Sequence, residues 1–531
     1  MCKPATLLAQ RRGGLAGGES RAASVAYVSL AAVLAAMLNL LIQSLLAARF
    51  GAGRALDAYF AAWAVPTVLS DVLIASLVNV FLPVFVEQRV LEGEITAWRV
   101  VSTPINVLML VLVAICAAGM LAAGPIIHVV APGLDGETAS LAVRLLRVLF
   151  PFVVASGVFS LLLSVLNAYG RFAFSSLGRT LRWVVTLGGV WFFTVRWGVF
   201  GAAVAVVLGV AVASVVLWAG VPERRFHSGV LELSQPVQRR ILGFWGTLLL
   251  ASSLYKLYPV IDRAFASTLG TGSISYLSYA MTFLPLFTGV LSGSIATVFF
   301  PDLARSVAER DTRGLLEQMS VSIRVSGFIM IPGIVGLVAL RLPITRLLFE
   351  RGAFTGQDSQ KTAMVLLFTA GALFAPTIAD ITSKVLFSMK ATSFVLVLSV
   401  ALVPLYVVTC ALLSRLLGLR GIALTGSLWA NLSWVLHLVY ISRKVGRLQL
   451  RGIFAALGRI LLCAAPMGLL TYYAYQGISA MVQPQGALVE VSLIGATILI
   501  GMVVFGVLTL TLRVEEAVLI QVKIAAWARR R

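Results

Sequence analysis

The sequence predicts an all-α polytopic membrane protein of about fourteen transmembrane helices, arranged as two six-helix repeats plus two C-terminal helices. Three observations lead there. The chain has 531 residues, of which 60% are hydrophobic and 12% charged, where soluble domains carry roughly 25% charged residues. Its apolar runs are uninterrupted over about 20 residues, the length of a membrane-crossing helix rather than of a strand, and hydrocarbon accepts only helices or closed barrels. Finally, a motif near the start of the chain returns in its second half.

In order, the spans are expected at 24–48, 57–86, 101–123, 144–167, 179–196, 199–220, 241–267, 274–303, 321–341, 362–388, 393–414, 421–441, 455–476 and 488–512. The stretch Gly51 to Phe85 organises the rest: a glycine turn flanked by Arg49 and Arg54, then Asp57 where a helix begins, then an apolar helix holding Pro66 and Asp71. FGAGRALDAY followed by FLPVF recurs as STLGTGSISY followed by FFPDL, with Tyr59 matching Tyr276 and Pro83 matching Pro301. APGLDGETASLAVRLL before the fourth span is echoed by GAFTGQDSQKTAMVLL before the tenth. The repeats therefore run in the same orientation, a plan that builds two-lobed transporters with a site between lobes. The expected division is an N-terminal segment 1–23, an N-lobe 24–220, an inter-lobe loop 221–240, a C-lobe 241–445, two further helices in 446–512, and a tail 513–531. The tail, VEEAVLIQVKIAAWARRR, reads as an interfacial amphipathic helix with basic anchors.

Loop charges set the orientation. With the N-terminus inside, cytoplasmic segments hold most of the arginines, Arg171, Arg179, Arg182, Arg224, Arg225, Arg239 and Arg240 among them, as the positive-inside rule requires. Both termini are then cytoplasmic, and the 124–140 stretch is an outer loop. The same placement explains the net charge of +21 without nucleic acid, since basic residues in short loops meet anionic headgroups. Cys116, Cys410 and Cys463 lie in apolar runs as small fillers. No cleavable signal is expected in the polar, basic residues 1–23, so Cys2 is not expected to be a lipidation site. His128, His227 and His437 are scattered, so no metal site is expected, and no nucleophile–base pair or phosphate loop indicates an enzyme.

Ionisable groups inside apolar segments are costly and normally face a polar cavity or a partner. Asp57 is placed at the outer mouth and Asp71 halfway down its helix. Lys256 lies at matching depth on the seventh span, with Asp262 and Arg263 one to two turns outward. Asp71 and Lys256 are expected to meet across a central cavity, as a structural pair or as a gate or substrate-anion site. A buried pair of this kind costs about 3–5 kcal/mol when one partner is removed. Asn39, Gln43 and Ser44 fall at helical spacing on the first span, as cavity lining or as interhelical glue. Asp380 and Lys384, one turn apart, are expected to satisfy each other, with a cation site there as the alternative.

FGAGRALDAYFAAWAVPTVL with FLPVFVE, APGLDGE, LNAYGRFAFSS, and RAFASTLGTGSISYLSYA with GVLSGSIATVFFPDLAR resemble the MurJ/MviN family, the bacterial lipid II flippases of the MOP exporter superfamily. The likeness runs from residue 24 to about 445, and spans thirteen and fourteen complete that family's fourteen-helix plan. It implies two MOP/MATE-like lobes around a central cavity and a lipid groove by the last two helices. The family's cavity arginines are largely missing here. LAAMLNLLIQSLLAARF holds only Arg49, the usual PNLLR is PTVLS with Ser70 and Asp71, and the usual ADR is AMT with Thr282. Asp57 alone of the usual cavity charges is kept. Since a diphosphate needs cationic donors, Lys256, Arg263, Arg49 and Arg54 are the candidates to supply them.

The function so implied is alternating-access translocation of an undecaprenyl-diphosphate-linked glycan, lipid II or a similar peptidoglycan precursor, across the bacterial inner membrane. A flippase for O-antigen or exopolysaccharide units, a MATE-like exporter of small cations and a non-transporting scaffold are the competing readings. The expected partners are the polyprenyl glycolipid, the phospholipid bilayer and cell-wall synthesis proteins. Sodium, protons and the membrane potential all stand as driving forces.

Overall fold

The computed structural model describes residues 21–221, 254–287, 305–306, 309, 311–389, 391–446, 449–482 and 486–517. Among the described residues, eleven helices are long and apolar enough to cross a membrane. The expected seventh and eighth spans fall partly outside the described residues, as do the inter-lobe loop and most of the tail. The expected fifth span is a helix of 26 residues, Phe172–Trp197, but Arg179, Arg182 and Arg196 keep it out of the apolar set.

The chain divides into two compact units. Unit 1 is Met1–Asn39, Ala62–Ile126 and Ala142–Lys256; unit 2 is Leu40–Ala61, Ile127–Leu141 and Leu257–Arg531. Two long helices, α1 (Arg21–Phe50) and α2 (Arg54–Leu91), contribute to both. In unit 1 they are followed by α3 (Glu94–Leu121), the end of α5 (Gly136–Leu149), α6 (Pro151–Ala168), α7 (Phe172–Trp197) and α8 (Val199–Ala219). The expected fourth span is interrupted before Pro151, whose missing N–H and fixed φ suit the first position of a new helix. Small residues bring the helices together, as is usual in membranes: Gly157 faces Leu112 of α3, and Gly189 faces Ala205 of α8. Phe85, Trp98 and Tyr169 close the α2–α3 hairpin, with Trp98 Nε1 donating to Tyr169 Oη at 3.1 Å.

Unit 2 contains α4 (Ala123–Val130), α9 (Tyr258–Ser267), α10 (Ser273–Met281), α11 (Phe283–Phe287), α12 (Thr312–Ala339) and α13 (Arg341–Phe349). It continues through α14 (Gly356–Thr369), α15 (Ala375–Ser388), α16 (Thr392–Leu417), α17 (Leu419–Val445), α18 (Leu450–Val482) and α19 (Ala487–Thr511). Met319, Ile323, Ile378, Leu386, Leu438 and Ile453 form its buried centre. The last two helices meet where Gly501 faces Thr471. Beyond α19, Arg324 of α12 binds both Glu515 and Glu516, and Glu516 is buried.

The repeat read from the motifs has a geometric counterpart. α3–α4–α5–α6 and α12–α13–α14–α15 follow the same order: a long helix, a short one, a turn, and a broken long one. Each repeat then joins its last two helices through a single residue, Gly198 (φ 55°, ψ −138°) and Gly418 (φ 62°, ψ −136°). The short helices α4 and α13 are a departure from expectation. AGPIIHVV lies in a stretch read as an outer loop, yet its apolar side chains give it a buried face, including Ile127 and Val130.

Candidate functional site

Within unit 2, the adjoining ends of α1 and α2 are bound to helices of the second repeat. α10 begins after Gly272, which has no side chain to cap the helix. Its orphan donors are taken instead by Asp57 of α2. Asp57 Oδ2 accepts from the Gly272 N–H at 2.5 Å, and Oδ1 accepts from the Ser275 N–H at 2.9 Å and Ser275 Oγ at 2.7 Å. A carboxylate there also meets the positive end of the α10 dipole. The side chain is buried at 3% relative exposure, so Asp57 is a cap supplied from a distant helix rather than a charge lining a mouth.

The neighbouring contacts are made to main-chain carbonyls. Ala353 N–H donates to the Ala48 carbonyl at 2.7 Å, satisfying one of the carbonyls that the end of α1 leaves open. Tyr279 Oη donates to the Gly51 carbonyl at 3.1 Å, and Ser44 Oγ donates to the Leu348 carbonyl. Gly51 and Gly352 face one another's loops reciprocally. A Cβ on Gly51 would lie 2.6 Å from the Ala353 carbonyl oxygen, and one on Gly352 would meet that of Ala48. Both have positive φ, 63° and 57°, so glycine is required twice over, by conformation and by space. Tyr279 also packs edge-on against Phe60 at 5.7 Å and Phe354 at 5.3 Å, with Phe349 at 5.1 Å. All four rings are buried. Tyr276 ties α10 to α14 by donating to Asp358 Oδ1 at 2.7 Å, while Asp358 closes a capping box with Thr355.

Unit 1 holds a separate charged group. Lys256 Nζ lies 3.0 Å from Asp71 Oδ2, so the structure brings together the two residues matched by depth. The pair is not buried, however: the Asp71 side chain is 59% and that of Lys256 34% exposed. An accessible ion pair is worth up to about 1 kcal/mol, which corrects the larger figure expected for a buried pair. Beside it, Ser70 Oγ and Ser156 Oγ are 2.8 Å apart and Trp63 packs on Phe152 at 4.6 Å. These contacts fasten one face of α2 to α6 and leave Asp71 on another face.

The remaining expected residues are dispersed. Arg54 is an exposed partner of Asp135 at 3.4 Å and of Glu137 at 3.8 Å, which leaves it tied to the turn before α5. Arg49 and Asn39 are half-buried, as is Gln43, whose Oε1 is buried without a hydrogen-bond partner. Asp262 is buried and accepts from Tyr406 Oη at 2.5 Å, and Tyr406 stacks on Tyr258 at 4.3 Å. Arg263 donates from Nη1 to the Pro259 carbonyl at 2.9 Å, and its Nε is buried without a partner. Asp380 lies among the described residues, but the Lys384 side chain does not. Among the described residues no cluster of His, Cys, Asp and Glu fits a metal ion.

Sequence reading missed Arg182. Counted there as a cytoplasmic loop residue, it lies about three turns inside α7, because that helix starts at Phe172 rather than at 179. Its guanidinium carbon sits 5.0 Å from the Trp183 ring centroid, 5.5 Å from Phe152 and 5.8 Å from Phe159. It thus shares Phe152 with Trp63 of α2, the helix that carries Asp71. The available signal was aromatic residues on a neighbouring helix, which no spacing rule within one helix reveals.

A family model described as lipid II flippase MurJ matches residues 46–497. The chain is 25% identical over 333 residues to the lipid II flippase MurJ of Burkholderia cenocepacia, a match spanning 61% of this chain and 64% of that protein. With the probable lipid II flippase MurJ of Buchnera aphidicola it shares 27% identity, over 80% of this chain and 84% of that one. With the Rickettsia prowazekii protein of the same description the identity is 24%, over 89% and 94%. In fold it is similar to a structure titled lipid II flippase MurJ, inward closed conformation, at a TM-score of 0.73 and 22% identity over 92% of this chain and 98% of that one. It is also similar to an inward-facing MATE-family multidrug resistance transporter of the MOP superfamily, at a TM-score of 0.64 and 18% identity over 77% and 95%.

Proposed function

The chain belongs to the lipid II flippase MurJ family, and from that premise we propose that it carries an undecaprenyl-diphosphate-linked glycan, lipid II or a near relative, from the inner to the outer leaflet of the bacterial inner membrane. The observation that carries the mechanism is the cap on α10. A buried carboxylate on a first-repeat helix holds the start of a second-repeat helix by three hydrogen bonds. Such a contact has two discrete states, made and broken, which is what a gate in alternating access needs. In this reading the Asp57 end is the outer end, Asp57 is a gating residue, and Lys256 in unit 1 meets the glycan diphosphate. Asp71 lines the route beside Lys256, while Arg49 and Arg54 belong to the gate surroundings.

Both termini then face the cytoplasm. Cysteines introduced at Glu137 and Gln238 label from opposite sides of the membrane, and labelling of both from outside would undo the arrangement. A sodium or proton gradient or the membrane potential drives the cycle, and cell-wall synthesis proteins supply and consume the lipid. The exporter and scaffold readings draw no support from the family match. Complementation tests the proposal directly: expressed in a bacterium depleted of its own lipid II flippase, the protein restores growth and surface lipid II. Normal accumulation in the membrane with no rescue would overturn lipid II as the substrate.

A further inference from the structure

The proposed substrate brings a diphosphate diester with two negative charges into an apolar protein, and it must find cationic donors there. In unit 1 the ion pair of Lys256 and Asp71 is partly open, at 34% and 59% side-chain exposure. A charged pair that far along an apolar helix and that accessible faces a polar space rather than lipid, since charge in contact with hydrocarbon is costly. Arg182 stands beside it. Its guanidinium is packed over Phe152, Phe159 and Trp183, and Phe152 in turn packs on Trp63 of α2, where Ser70, next to Asp71, meets Ser156 of α6. Among the described residues its N–H groups make no hydrogen bond. Ring packing engages the face of a guanidinium and leaves its edge, where the five N–H donors lie, available to an oxyanion.

Ordinary anchoring accounts for this arrangement poorly. A structural arginine three turns inside a helix would be expected to donate to a carboxylate or carbonyl, as Arg324 does to Glu515 and Glu516. Arg182 instead has aromatic support on its face and a carboxylate nearby that is already bound to a second cation.

Resting on the flippase reading, we infer that Arg182 and Lys256 form the diphosphate-binding site of this chain, and that Asp71 occupies it while no substrate is bound. Two cations and one carboxylate leave a single positive charge uncompensated. When the diphosphate enters and Asp71 moves aside, two positive charges face two negative ones. The cations thus come from α7 and from the expected seventh span, while the helix where the family's motif has its arginine carries Ser70 and then Asp71. Asp71 has a definite part in this scheme: it competes with the substrate, so the empty site carries one positive charge rather than two and release is assisted.

The test uses the full chain in phosphatidylcholine nanodiscs, with undecaprenyl diphosphate as the probe and undecaprenol as the uncharged control. R182Q weakens binding of the diphosphate about tenfold to a hundredfold, the range for loss of a hydrogen-bonding charge, and leaves undecaprenol unaffected. D71N strengthens diphosphate binding severalfold, and the double variant returns towards wild type. Size-exclusion profiles and thermal melting of each variant show that the compared proteins are folded, and R182K, which keeps the charge without the fork, falls between wild type and R182Q. Unchanged affinity in folded R182Q, or weaker binding in D71N, overturns the assignment. If wild type still rescues the flippase-depleted strain in that case, the flippase reading stands without it. If neither wild type nor D71N binds undecaprenyl diphosphate above undecaprenol, both fall.

Discussion

Replacing Asp57 by Asn changes one atom and the charge of the side chain that caps α10. Asn Oδ1 still accepts from Ser275, but Nδ2 now points a donor at the Gly272 N–H, which held Oδ2 at 2.5 Å. One charge-assisted bond is lost with its donor left buried, and the others lose the charge. Hydrogen bonds to charged groups contribute about 1.5–3 kcal/mol each and do not add simply, so the contact weakens by roughly 3 kcal/mol. At 1.4 kcal/mol per factor of ten, the open population rises about a hundredfold. Ala61, fully buried one turn further along α2, serves as the reporter. In a background lacking Cys2, Cys116, Cys410 and Cys463, a cysteine at Ala61 is unreactive to an impermeant maleimide in the parent. In D57N it labels from the outside about a hundred times faster. Lipid transport fails while the protein accumulates normally. An unchanged labelling rate, with normal transport, would refute the gating role and leave Asp57 as a local cap.

Other consequences are as direct. D71N and K256M each melt close to wild type, because the exposed pair contributes about 1 kcal/mol at most; K256M loses transport and the double variant does not regain it, whereas a large melting loss in either single variant would mean the pair is buried. G51A places a Cβ 2.6 Å from the Ala353 carbonyl at a φ of 63°, and raises labelling at Ala61 as D57N does; G53A, whose Cβ meets nothing nearer than 3.8 Å, does not. R324Q strands the buried Glu516 and lowers the melting temperature strongly, an effect on the order of 3–5 kcal/mol for a buried charge losing its partner, while E515Q, at an exposed position, barely shifts it.

The helices and their duplication were legible because hydrophobic run length and motif recurrence are local properties of the chain. The same is true of the Asp57 position, which the glycine turn marks. Its role was not legible, since the donors at Gly272 and Ser275 lie more than two hundred residues away and are mostly backbone, with no side-chain pattern to pair. Asp71 and Lys256 were matched by counting rise along two helices, but counting gives depth and not exposure, so their energetic weight was overestimated. Arg182 was lost through a helix boundary placed seven residues late: FAFSSLG carries too many small and polar residues to look like a span, yet Ser175, Ser176 and Gly178 are buried there as packing surface.

The cap on α10 has an evolutionary side. Two of its three donors are main-chain N–H groups, at Gly272 and Ser275, and a main-chain group is present whatever residue occupies the position. Exchange of Ser275 for alanine therefore deletes one hydroxyl bond and leaves the main-chain bonds, although the buried position admits no larger side chain. Position 57 has no such insurance, because only a short carboxylate presents two acceptors at that reach. Selection on the two sides therefore differs in kind: position 57 is held by its carboxylate, while position 272 is held to glycine by its φ of 88° and by the Ala52 carbonyl, which a Cβ would approach to 2.7 Å.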